Sequence, residues 1–120
     1  MWKQSAIVSK KETGVSALHV ISKKPFNDAA QKYPRDRAAI MDIYRTLDKG
    51  DFFSPDDLRK VFPSLDNFKY RDKWWVIDIG GNNLRLMAFI EFKDNRMYVK
   101  HIVSHADYDK LNDKYRRTKE

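Results

Sequence analysis

The segment with the clearest potential for chemistry spans residues 100–110, KHIVSHADYDK, where an extended apolar stretch ends in polar side chains. Ser104 and Asp107 have the spacing of a capping box, which predicts that a helix begins there. His105 then lies in the first helical turn, where free backbone amides and the positive end of the helix dipole attract a phosphate and disfavour a protonated imidazole. A neutral histidine beside an anion is a candidate general base, and Tyr108 follows on the same helical face.

Spacing alone also supports a purely structural interpretation of this segment. Tyr108, Leu111 and Tyr115 recur at i, i+3 and i+7, which is typical of a helix packing on a core. On the same basis His105 is a polar residue at a helix start, with no chemistry implied. Both interpretations stay open at the level of spacing.

Length, charge and amino-acid composition limit the classes of protein to which the chain can belong. The 120 residues are enough for one domain with a modest core. A formal charge of +7 and a pI near 9.6 favour a polyanionic partner, with nucleic acid the leading class. The chain has no cysteine, which excludes disulfides and thiolate chemistry. No apolar run approaches the roughly 20 residues of a membrane span, so we expect a cytoplasmic protein without a membrane partner.

Helix signals occupy the first half of the chain. Residues 1–17 show no sustained periodicity and are expected to be a poorly ordered extension, followed by a strand at residues 18–22 and a single domain to residue 120. Prolines and caps predict three helices, over residues 26–33, 35–49 and 55–62. The second has apolar residues at helical spacing and closes at a glycine: Ile40, Ile43, Tyr44, Leu47 and Gly50.

An irregular segment over residues 64–73 interleaves aromatic and basic side chains. Phe68 and Tyr70 alternate with Lys69, Arg71 and Lys73. Such a pattern can hold phosphates while rings stack on bases, which makes the segment a candidate for binding RNA. The alternative is a solvated connector with buried rings, because Lys and Arg often lie over apolar surface.

Three strands are predicted over residues 74–79, 84–93 and 96–104, with turns at residues 80–83 and 94–95. Alternation gives the middle strand one apolar face and one mixed face. The helices are expected to cover the apolar faces. An open sheet face remains, with His105 and Tyr108 at one end, and its side chains are Arg85, Lys100, Tyr98 and Trp74.

The other two histidines are expected to be packed core residues. His101 shares its predicted face with three aliphatic side chains, and His19 lies on the first strand. The three scattered histidines lack metal-ligand spacing, and we expect no cofactor.

Two stretches together resemble a known family. PSLDNFKYRDKWWVIDIGGNNLRL (residues 63–86) followed by KHIVSHADYDK (residues 100–110) is similar to the HigB toxins of bacterial toxin-antitoxin pairs, a branch of the RelE superfamily. The resemblance implies an α+β fold in which an N-terminal strand and helices pack on one face of a small, mostly antiparallel sheet, with a C-terminal helix.

The resemblance also implies a function. It implies an endoribonuclease without metal that cuts mRNA on the ribosome, a HigA-type antitoxin partner, and contact with operator DNA only through that antitoxin. By position, Arg85 matches the arginine that binds the scissile phosphate, and His105 and Tyr108 match the residues near the reacting 2′-hydroxyl. Lys69 matches a basic position lining the site, while Lys100 adds positive charge.

A second function class fits the same basic and aromatic face: a module that binds RNA or the ribosome without catalysis. A DNA-binding regulator is a weaker third interpretation, since no helix-turn-helix with a basic second helix is apparent.

Overall fold

A computed structural model describes residues 18–118 as an α+β domain, which confirms the predicted fold class. The predicted N-terminal extension, residues 1–17, lies outside the described residues. In chain order the elements are β1 (His19–Val20), α1 (Lys24–Lys32), α2 (Arg37–Lys49), α3 (Pro55–Val61), β2 (Asp66–Asn67), β3 (Trp74–Ile79), β4 (Leu84–Glu91), β5 (Arg96–Ser104) and α4 (His105–Arg117). No helix within residues 18–118 is long and apolar enough to cross a membrane.

The five described strands form one mixed sheet in the order β1-β5-β4-β3-β2. β1 runs parallel to β5 and the other pairs are antiparallel. Two short edge strands differ from the prediction. β1 is two residues long because it pairs only with Arg96 and Met97, and β2 lies inside the segment expected to be irregular.

Local signals set the helix boundaries. Pro25 lies in the first turn of α1, and residues 34–36 form a short 3₁₀ turn that delays the start of α2 to Arg37. Ser54 caps α3 by accepting a hydrogen bond from the Asp57 amide at 3.2 Å. The three predicted helices are therefore confirmed to within two residues at each end.

One face of the sheet carries the main core, covered by α1 and α2 as predicted. Burying each large aliphatic or aromatic side chain contributes about 1.5–3 kcal/mol, so this layer supplies most of the fold's stability. Its most deeply buried members are Leu18, Phe26, Ile40, Leu47, Leu58, Ile77, Ile79, Leu84, Leu86, Ile90 and Met97.

A β-bulge in β5 changes which residues face this core. Ala88 pairs with Val99 while the preceding residue of β4 pairs with His101, so Lys100 has no partner across the strand pair. The extra residue shifts the alternation by one position. Ile102 therefore packs in the helix-covered core, and His101 lies half-buried on the opposite face. The prediction that His101 belongs to the main core is wrong.

The prediction for His19 is also wrong. Its side chain is exposed, because it occupies the outward position of the two-residue edge strand while Val20 is buried.

The opposite face of the sheet is covered by α4 and not open as predicted. Phe68, Val76 and Met87 are buried there in a second apolar cluster. Tyr108, Leu111 and Tyr115 pack on it from α4, which confirms the packing stripe, and Tyr70 and Trp74 complete the cluster from the side. The predicted basic and aromatic face thus survives only around the edges of α4.

The turn between β3 and β4 depends on two glycines in the left-handed region, Gly80 (φ +60°) and Gly81 (φ +71°). A Cβ on Gly80 would lie 2.7 Å from Oδ1 of Asp36, the atom that accepts a hydrogen bond from Asn83 at 3.2 Å. A Cβ on Gly81 would meet nothing within 4 Å. The hydrogen bond from Asn83 to Asp36 fastens this turn to the 3₁₀ turn that precedes α2.

We expect Gly80→Ala to lower the free energy of unfolding by about 2 kcal/mol, because it combines left-handed strain with loss of the Asp36 to Asn83 contact. Gly81→Ala is the matched control and should cost about 1 kcal/mol, from strain alone. Urea-induced unfolding measures both values. Equal losses would show that the Asp36 contact contributes nothing.

Candidate active site

Arg85 lies on β4 directly opposite Asp78 of β3, and alternation places both side chains on the α4 side of the sheet. Nη1 of Arg85 donates to Oδ1 of Asp78 at 2.5 Å, and both side chains are largely buried, at 21% and 24% exposure. The Nε atom of Arg85 is buried and has no hydrogen-bond partner in the described structure. Ser64 holds the Asp78 backbone by accepting from its amide at 3.0 Å. Asp78 thus fixes Nη1 of the guanidinium, while its Nε has no hydrogen-bond partner.

His105 is the first residue of α4 and reaches Arg85. Its Nε2 lies 3.3 Å from Nη2 of Arg85, while its Nδ1 lies 3.7 Å from Oδ2 of Asp109, one helical turn further on. A guanidinium can only donate, so Nε2 must accept in this contact and the ring proton belongs on Nδ1, facing the carboxylate. The ring is half exposed, at 53%. The arrangement holds the Nε2 lone pair at the protein surface, occupied by the Nη2 donor of Arg85.

The helix that carries His105 begins as the sequence predicts. Ser104 caps α4 by accepting from the Asp107 amide at 3.2 Å. The cap fixes where the first turn starts and hence which side chain meets Arg85.

Tyr108 packs against the same guanidinium, with its ring centroid 5.2 Å from Cζ of Arg85. Burial raises the pKa of its hydroxyl above the usual value, although the nearby Arg85 acts in the opposite direction. The phenol is therefore protonated at neutral pH and can act as a hydrogen-bond donor. Tyr108 serves both as a packing residue of the second cluster and as a neighbour of the cation.

Five residues were predicted to bind RNA, and none of their polar or ring contacts is with Arg85 or His105: Lys69, Tyr70, Arg71, Lys73 and Lys100. The guanidinium of Arg71 is bound by the carbonyl oxygens of Tyr70 and Tyr115 and by Thr118, at 2.6, 3.1 and 3.0 Å, near the far end of α4. Nζ of Lys73 bonds to Glu91 at 2.5 Å, about 20 Å along β4 from Arg85.

The other predicted cation sites are exposed. Nζ of Lys69 lies 5.3 Å from the centroid of the Tyr70 ring, and Lys100 protrudes from the β-bulge. A role in RNA binding for the five residues stays a prediction.

Sequence reasoning missed two carboxylates at the site. Strand alternation puts Asp78 on the mixed face of β3, but its direct pairing with Arg85 depends on strand register, which alternation does not give. Asp109 has no distinguishing feature in the sequence, although its i+4 spacing from His105 indicates that the two side chains lie on one face of the helix.

A known protein family matches most of the described domain. The model of the HigB toxin family, described as a RelE-like toxic component of a toxin-antitoxin system, matches residues 36–111, which include Asp78, Arg85, His105, Tyr108 and Asp109. The chain belongs to the HigB toxin family. The resemblance noted in the sequence is thereby confirmed, and membership implies an antitoxin as its partner.

Three curated HigB relatives show how far the similarity extends. The chain is 53% identical over 103 residues to "mRNA interferase HigB" of Escherichia coli O6:H1 (strain CFT073), covering 86% of the chain and 100% of the relative. It is 42% identical over 92 residues, 77% of the chain and 88% of the relative, to "mRNA interferase toxin HigB" of Escherichia coli K12. The same values hold for "mRNA interferase HigB" of Shigella flexneri.

His101 makes a second polar contact beneath α4 of this HigB-family chain, between its Nε2 and the hydroxyl of Tyr115 at 3.0 Å. Burial lowers the pKa of His101 below its usual value, and Lys114 and Lys100 add to this effect. The unfolded chain therefore takes up a proton at this ring at a higher pH than the folded chain does. Folding stability contributed by a neutral His101 is full above the unfolded pKa of about 6.5 and is lost as the pH falls below it.

We predict that the free energy of unfolding decreases between about pH 7.5 and 5.5, and that His101→Gln removes part of this slope. Exposed His19 supplies the control, since His19→Gln should leave the slope unchanged. Urea unfolding at several pH values provides the measurement. A slope in His101→Gln equal to that of the wild type would contradict the assignment.

Proposed function

We propose that the chain is an endoribonuclease that cuts mRNA by attack of a ribose 2′-hydroxyl on the adjacent 3′-phosphate. The products are a 2′,3′-cyclic phosphate and a free 5′-hydroxyl. The observation that carries the proposal is the 3.3 Å contact between His105 and Arg85, which sets a basic nitrogen beside a fixed cation at the surface. The names of the HigB relatives, which describe mRNA interferases, support the same activity.

Arg85 is the phosphate clamp in this mechanism. A guanidinium offers paired donors that match phosphate oxygens, and the negative charge on the phosphate grows as the 2′-oxygen attacks. Asp78 holds Nη1, so the side chain needs little rearrangement when RNA binds. A phosphate oxygen that accepts from Nη2 takes the place of Nε2 of His105 as the acceptor, which frees the Nε2 lone pair for the base step.

His105 is the general base. Its Nε2 lone pair takes the proton of the 2′-hydroxyl as the new P–O bond forms, and Asp109 beside Nδ1 stabilises the imidazolium that results. The bond from phosphorus to the 5′-oxygen then breaks, and that oxygen needs a proton. Tyr108, protonated at neutral pH, supplies that proton, and water returns one to its phenolate afterwards. No step calls for a metal or cofactor.

The proposal extends to the molecules that the chain contacts in the cell. The net charge of +7 suits a polyanionic assembly, in keeping with mRNA cleavage on the ribosome in the cytoplasm. We propose that the antitoxin is of the HigA type and that operator DNA is contacted only through it.

His105→Ala should lower cleavage by about 10²–10⁴-fold, the usual effect of removing a general base, while the fold is retained. His19→Ala, which removes an exposed histidine from β1, should cleave as the wild type does. Primer extension on transcripts after brief induction measures cleavage, and growth arrest gives a parallel readout. Cuts within codons at wild-type level in His105→Ala would refute the assignment. Growth arrest with intact transcripts, for the wild type, would instead favour the non-catalytic binding module.

A further inference from the structure

A second concavity lies on the α4 side of the sheet, away from Arg85. It measures about 510 Å³, within the range of small-molecule sites. We refer to it as the basic cleft. Its lining comes from the loop before β3, from β3, from the bulged part of β5 and from the last turns of α4: Arg71, Trp74, Lys100, His101, Lys114, Tyr115 and Thr118.

The positive charge of the basic cleft is not neutralised locally. Its lining includes no carboxylate, and within residues 18–118 neither Lys100 nor Lys114 forms an ion pair. Their Nζ atoms lie instead 5.9 Å from the ring centroids of Tyr98 and Tyr115. The cleft therefore has free cations to offer an anion.

The pKa of His101 responds to the same positive charge in the cleft. Lys114 and Lys100 both lower the pKa of His101 beyond the effect of burial, so ammonium groups on α4 and on β5 act on the same ring. An anion bound between them would relieve that repulsion.

The rigid wall of the cleft is aromatic. Trp74 and Tyr115 are half-buried with ring centroids 5.2 Å apart. Arg71 lies 4.6 Å over the Tyr115 ring and fastens the end of α4 through Thr118. Rings held this firmly can stack on a base at small entropic cost, and base stacking on an aromatic ring contributes about 1–3 kcal/mol.

The cleft and the candidate active site share one face of the sheet and are joined by α4. From His105 to Lys114 the helix rises about 14 Å. That distance is too long for both sites to hold one phosphate. It suits a strand that passes from one site to the other.

We propose that the basic cleft binds a nucleotide flanking the cut site on the same RNA strand, with its phosphate between Lys100 and Lys114 and its base against Trp74. The proposal rests on the proposed function for the identity of the strand. The exposed ring surface favours RNA over an acidic protein segment, which would need the lysines but not the rings.

The test uses a fluorescein-labelled 2′-O-methyl decauridine, which has no free 2′-hydroxyl and cannot be cut by the proposed chemistry. All proteins carry His105→Ala so that they can be expressed without growth arrest. Lys100→Ala/Lys114→Ala should weaken binding about tenfold and reduce the slope of log K against log salt by about 0.7, as for one phosphate that is no longer neutralised. The charge-matched control is Lys49→Ala/Lys60→Ala, at exposed positions on α2 and α3 away from the cleft, and should leave both values near those of the parent.

Three results would overturn the proposal: equal weakening by both pairs, no weakening by the cleft pair, or no binding of the probe by the parent. Tighter, cleft-dependent binding of a hexaglutamate peptide than of decauridine would overturn it in favour of an acidic protein partner. Because the probe is not cut, the result is independent of cleavage. Absent mRNA cuts with intact cleft-dependent binding would refute the proposed function alone, and normal cuts with unaffected binding would refute the cleft alone.

Discussion

The guanidinium of Arg85 joins the sheet to the first turn of α4. It lies across from Asp78 on the neighbouring strand, touches Nε2 of His105, and packs under the Tyr108 ring. A charge this deeply placed is costly to bury without partners, so its contacts are matched in sign and geometry. The buried, unpaired Nε marks the side on which hydrogen bonding is incomplete. Arg85 therefore both joins α4 to the sheet and forms part of the candidate active site.

The position of α4 explains why that contact can form. Its apolar stripe packs on Phe68, Val76 and Met87, while the Ser104 cap fixes the start of its first turn. Arg71 secures the other end through Tyr115 and Thr118. With both ends held, His105 has little freedom to drift from Arg85, and general-base chemistry requires that kind of positioning.

Features encoded over a few residues could be predicted from the sequence. The cap of α4 depends on a spacing of three residues, and the face on which Arg85 lies depends on the twofold period of a strand. The helices follow from prolines, caps and apolar spacing. These local rules were sufficient to bring Arg85, His105 and Tyr108 to one end of the sheet.

Features that depend on pairing between distant segments were missed. The bulge at Lys100 adds one residue with no local signature, and it reverses the faces assigned to His101 and Ile102. β2 is two residues long and exists only because it pairs with β3. The sequence predicts the apolar stripe on α4, but it does not predict that this stripe covers the sheet face that was expected to be open. The partnership of Asp78 with Arg85 likewise required strand register.

In the proposed mechanism Arg85 and His105 act as one unit on a single phosphate. A double-mutant cycle of Arg85→Ala, His105→Ala and the combined variant, followed by rates of mRNA cleavage on ribosomes, measures that coupling. Each single change should cost about 10²-fold or more, and the double variant should be little worse than the poorer single one. Losses that simply multiply, or a single variant that retains wild-type cleavage, would contradict it.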